Sequence, residues 1–194
     1  MKKLIAMLLA AVMVMGVFAA CSVNVNTEAT TEATTESVPA ESATEILENI
    51  WAQMGEENQF FVMGGNMENV VDGKPGEYNM EYKENLTYNL LVPENELANI
   101  DEAGFVQHAM NANNFTAGVV HYTGDVTAFA AAMQSAIQNN QWICGFPEAL
   151  VIAVINTEYV LVTFGINDAM NPFITALDAA YANADVLYNE AIGG

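Results

Sequence analysis

The segment ALVIAVINTEYVLVTFGI, residues 149–166, constrains the fold more than any other stretch of the chain. Its 18 residues are long and apolar enough to suggest a membrane span, yet Asn156, Thr157 and Glu158 interrupt its middle. β-Branched and aromatic residues dominate both flanks, and these crowd a helix while fitting a pleated sheet. The segment therefore reads as a buried β-hairpin.

The neighbouring segments extend this pattern. GFVQHAMN (104–111) and TAGVVHYT (116–123) read as two strands joined by the Asn-rich NANN. A helix should follow, capped by Asp125 and carrying Val126, Phe129, Ala130, Met133 and Ile137 on one stripe. NDAMNPFITALDAAYANADVLYNEA also reads as helical, with Asn171 or Asp168 as cap and Pro172 in its first turn. An earlier helix is expected from SATEILENIWAQMG. Ser42 and Glu45 have the spacing of a capping box, Ile46, Leu47, Ile50, Trp51 and Met54 share a face, and Gly55 supplies a stop. Residues 56–76 give no clear period, and residues 77–92 fit a strand or a short helix ended by Pro93. The order is helix, unclear segment, β-β-α-β-β-α. The expected class is α+β, with an antiparallel sheet of two hairpins and helices packed on one face.

The N-terminal residues suggest a destination. Lys2 and Lys3 precede an uncharged run from Leu4 to Ala20 that ends in two alanines, the order of a secretory signal. At 17 residues the run is shorter than the roughly 20 a spanning helix needs. After it, SVNVNTEATTEATTESVPAES is polar, partly repetitive and free of large aromatics, so it cannot bury enough apolar surface to offset ordering entropy. The organisation is thus a signal at 1–20, a disordered Thr/Glu-rich tether at 21–41 and a single domain at 42–194.

Where the signal is cut remains open between two schemes. VFA (17–19) suits an ordinary signal peptidase and would release a chain starting at Ala20. VFAAC (17–21) resembles the lipobox of bacterial lipoproteins, although Phe18 stands where Leu is usual. That resemblance implies a diacylated Cys21 holding the protein on the outer face of the cytoplasmic membrane, since two acyl chains anchor stably where one does not. The stretch from TAGVVHYTGDVTAF through INTEYVLVTFGINDAMNPF, within roughly residues 105–185, resembles the C-terminal domain of a family of small bacterial lipoproteins of unknown function. It lacks the basic residues common in that family's central helix. The resemblance implies fold and surface anchoring, and it carries no catalytic residue.

Charge narrows the partners. Beyond the signal, Lys74 and Lys83 stand against 24 acidic residues, a formal balance of −22. Such a field repels phosphate backbones and anionic headgroups, which excludes nucleic acid as a partner. With Cys21 lipidated or removed, Cys144 has no intramolecular disulfide partner, and stability must come from a packed core.

Candidate chemistry is sparse. His108 and His121 lie on the two strands flanking NANN, and a register placing them opposite each other could hold a metal with a third ligand such as Asp125. Cys144 in QWICGFPEA would need activation by one of these histidines to act as a nucleophile, and a lone cysteine among apolar neighbours is ordinarily a buried small hydrophobe. The acidic segments lack the DxDxDG spacing of a calcium loop, and Tyr78, Tyr82 and Tyr88 suit a binding face or a core equally. The expectation is a lipid-anchored, extracytoplasmic binding or envelope-accessory domain without a cofactor, contacting the membrane through its lipid and engaging a protein or small molecule. The alternatives are a metal-dependent or thiol hydrolase at the cell surface, and a small solute-binding lipoprotein.

Overall fold

The computed structural model describes residues 41–193. The signal segment, Cys21 and the Thr/Glu-rich segment up to residue 40 lie outside the described residues. The first helix, α1 (Ala43–Gln53), starts with the expected capping box: Ser42 Oγ accepts from the Glu45 N–H and the Glu45 carboxylate accepts from the Ser42 N–H. All five residues of its apolar stripe are buried, and Gly55 follows the helix at φ +70°, the left-handed region that favours glycine.

The unclear segment supplies three short strands, β1 (Val62–Gly64), β2 (Val71–Asp72) and β3 (Gly76–Glu77). Helical turns succeed them, a 3-10 turn at Met80–Asn85 and the single-turn α2 (Leu86–Asn89). Both candidate hairpins form, β4 (Ile100–His108) with β5 (Phe115–Tyr122) and β6 (Ala149–Ile155) with β7 (Tyr159–Gly165). Between them runs α3 (Val126–Gln138), whose first N–H groups donate to Asp125 Oδ1.

The expected C-terminal helix is shorter and begins differently. α4 (Asn167–Ala180) starts after Ile166 without a cap from its own first residues. Glu148, from the end of the preceding connection, reaches across to accept from the Asn167 N–H at 2.7 Å. Pro172 therefore stands inside α4 rather than in its first turn. From Asp185 to Ala191 the chain is not helical but forms a strand, β8, paired antiparallel with β6. Tertiary context overrides the helical reading there: β6 is apolar on both faces, and an uncovered edge would leave its backbone groups without partners.

All eight strands join one antiparallel sheet in the order β2-β1-β4-β5-β7-β6-β8, with β3 also on β4. The α+β class and the antiparallel sheet hold, while the placement of helices on one face does not. Phe115, Ala117 and Val119 of β5 face α1 and α4, and Val120 and Tyr122 face α3. Because β6 and β7 are buried almost throughout, the sheet needs a layer on each side. On one side Phe115 packs edge-on against Phe173 with ring centres 5.1 Å apart. On the other, Tyr122 stacks on Phe129 at 4.3 Å. α1 comes so close to β4 that a Cβ on Gly104 would lie 2.7 Å from the Thr44 Cα. Among the described residues no helix is long and apolar enough to cross a membrane.

Candidate functional site

The register decides the fate of the histidine pair. His121 stands opposite Glu102, whereas His108 lies at the far end of β4, opposite Val62 of β1. Six residues of strand between positions 102 and 108 amount to roughly 20 Å at about 3.3 Å per residue. The condition for a shared metal is not met. Asp125, the cap of α3, is engaged by the N–H groups of Thr127 and Ala128.

His121 instead anchors an acidic cluster at one end of the sheet. A register shift between Ile100 and Glu102 releases Asp101 from the ladder and turns its carboxylate toward the imidazole. Asp101 Oδ1 lies 2.6 Å from His121 Nδ1, and Glu158 Oε2 lies 3.7 Å from Nε2. The hydrogen bond to Asp101 raises the imidazole pKa above its ordinary value, against partial burial, with smaller contributions from the charges of Asp101 and Glu158. The Tyr159 ring sits 5.0 Å away. Beside it, Glu102 accepts from the Ala43 N–H at 2.7 Å, which ties β4 to the first turn of α1. Glu41 takes hydrogen bonds from Asn49 and from the Tyr181 hydroxyl. The first described residues are thus fastened at this end, Ala43 by Glu102 and Glu41 by Asn49 and Tyr181.

At the opposite end, His108 is a structural acceptor. Its Nδ1 takes the N–H groups of Met110 and Asn111 at 3.1 and 3.3 Å, and its ring stacks on Phe60 at 5.5 Å. Those backbone bonds occupy Nδ1, so that nitrogen is not open to a ligand. Asn111 and Asn113 extend the arrangement by donating to the carbonyls of Cys144, Ile143 and Gly145. They hold the 142–147 connection in an unusual shape, with Cys144 at φ +63°.

That shape turns apolar side chains outward. Cys144 is exposed rather than buried, as the asparagine bonds fix the backbone on either side of it. Ile143 is 76% exposed and Phe146 70% exposed. Met110 and Phe61, at 82% and 61%, are exposed at the same end of the sheet, where the Ala109 N–H donates to the Phe61 carbonyl and the Asn111 side chain to the Cys144 carbonyl. An open hollow of about 320 Å³ runs between Trp142, Phe146, Pro147 and Ile192. Trp142 rests on the Phe164 ring at 5.2 Å, and its buried Nε1–H has no acceptor. This apolar end was not visible in the sequence, because QWICGFPEA has neither helical nor strand period to show which side chains would be excluded from the core. Of the three tyrosines, Tyr78 is fully buried, while Tyr82 is 40% and Tyr88 83% exposed.

The two ends are separated by the length of β5, roughly 25 Å. One gathers carboxylates around an imidazole where the first described residues are fastened, and the other presents unpaired apolar side chains. No family model, no curated protein and no solved structure matches this chain.

Proposed function

We propose that the chain is a lipid-anchored extracytoplasmic domain that binds a partner without catalysing a reaction, held through Cys21 on the outer face of the bacterial cytoplasmic membrane. The observation that carries the binding reading is that Ile143, Phe146, Met110 and Phe61, four large apolar side chains, are exposed at one end of the sheet in a chain otherwise rich in carboxylates. Exposed apolar patches of this kind mark interaction surfaces. Anchoring is supported by the charged, apolar and small-residue order of residues 2–20, by VFAAC, and by the resemblance to small bacterial lipoproteins. The first described residues, Glu41 to Ala43, are fastened at the His121 end, and the exposed apolar side chains lie at the other end of the sheet.

Metabolic labelling with a fatty-acid analogue tests the anchor. Wild type is expected to incorporate label and to fractionate with membranes, while Cys21→Ala does neither. Equal labelling of the two proteins would overturn lipidation at this site. Replacing Cys144 by Ser is expected to leave labelling unchanged.

A further inference from the structure

We infer that the apolar end docks a cationic protein segment, one that places an aliphatic or aromatic side chain against Ile143 and Phe146 and surrounds it with lysine or arginine. The inference rests on the binding reading above and supplies the chemistry of the partner.

Charge selects this occupant over the others an apolar patch could take. Glu148, exposed, lines the hollow beside Phe146, and no lysine or arginine stands in its wall. Lys74 is paired with Glu48 at 2.6 Å, and Lys83 reaches toward the Ile100 carbonyl at the opposite end. A second copy of the chain would bring a formal charge of −20 against the same sign, and close approach of like fields is unfavourable. An anionic bilayer is repelled for the same reason. A basic segment with an apolar centre gains on both counts, burying Ile143 and Phe146 while meeting Glu148 and the acidic field of the domain. The hollow beside Phe146, about 320 Å³, has room for a large side chain. Trp142 in its wall would report occupancy through its fluorescence, with Trp51, buried on the inner face of α1, as the constant background.

The test uses the full chain and two synthetic peptides of equal length with the same central Trp-free apolar core, Leu-Phe-Leu, flanked in one by lysines and in the other by glutamates. The lysine-flanked peptide is expected to shift the Trp142 emission, to bind at least tenfold more tightly than the glutamate-flanked one, and to weaken as salt rises. Ile143→Ser combined with Phe146→Ser should reduce its affinity at least fivefold, while Met67→Ser, at an equally exposed methionine away from this end, should leave it unchanged. Circular dichroism of the double variant checks that the fold persists. Equal binding of both peptides would overturn the inference and leave the binding reading standing. Equal binding of the lysine peptide to wild type and the double variant would overturn it as well, by assigning the attraction to the overall field. Self-association abolished by the same double variant, or its dependence for binding to phosphatidylglycerol vesicles, would replace the cationic segment with a second copy or a membrane. Binding of neither peptide would overturn the partner chemistry, and fatty-acid labelling of Cys21 would still decide the anchor independently.

Discussion

At the scale of single residues, His121 makes the clearest prediction. Its folded pKa is raised above 6.5, first by the hydrogen bond to Asp101. The charged imidazole is thus favoured by folding, so its contribution is complete below the unfolded value and is lost as pH rises through the folded one. Denaturation of wild type and His121→Gln above roughly pH 5, where carboxylates stay ionised, should give a difference that shrinks as pH increases. The gap should stay within about 1 kcal/mol, because Asp101 and Glu158 are largely exposed. A difference independent of pH would show that the contact is not titrating. Thr157 carries a separate effect. It sits at φ +68° beside Asn156 at φ +50° in the β6–β7 turn, and a β-branched side chain is strained in that region while glycine is not. Thr157→Gly should raise stability by roughly 0.5–1 kcal/mol in urea unfolding. Asn156, Thr157 and Glu158 announced the turn from sequence alone; that Glu158 would face His121 did not follow, because it depends on the pairing of β5 with β7, which sets His121 opposite Tyr159, 38 residues away.

At the scale of elements, legibility tracked the locality of the forces. α1 and α3 were readable because their caps and stripes lie within a few turns: Ser42 with Glu45, Asp125 with Thr127 and Ala128. Asp125→Ala should cost about 1 kcal/mol of stability, measured by thermal or urea unfolding, with α3 still formed because Phe129, Ala130, Met133 and Ile137 remain buried. The start of α4 was misread because its cap, Glu148, comes from the far side of a hairpin and leaves no local signature. β8 was misread for a related reason: whether DVLYNEA continues a helix or becomes a strand depends on the open side of β6. The layer count failed on a subtler point. Strands buried on both faces show no alternation, and a run such as LVIAVI was compatible with one cover or two. Phe115 shows what the α1/α4 layer supplies, meeting Phe60 and Phe173 at 5.1 Å and Trp51 at 6.2 Å. Phe115→Ala should destabilise by about 3–5 kcal/mol, enough to be visible as partial unfolding at moderate temperature.

At the scale of the whole molecule, charge acts on stability as well as on partner choice. The formal charge is −20, and the described ion pairs are few: Lys74 with Glu48, and His121 with Asp101 and Glu158. Folding concentrates the carboxylates on the surface of one compact domain, so the folded state carries the larger self-repulsion. Salt shortens the Debye length from about 30 Å at 0.01 M to about 8 Å at 0.15 M, less than the roughly 25 Å between the two ends of the sheet. It should therefore screen many repulsive pairs while weakening very few attractive ones. Tm is expected to rise between 0.01 and 0.15 M sodium chloride, by about 2–4 °C for each kcal/mol of repulsion removed. Replacing Glu56 and Glu57 by Gln should shift the low-salt Tm upward and reduce the salt-dependent increment, because the repulsion salt would screen is already diminished. A Tm that falls with salt would mean that attractive pairs, not the carboxylate excess, dominate the electrostatics of the fold.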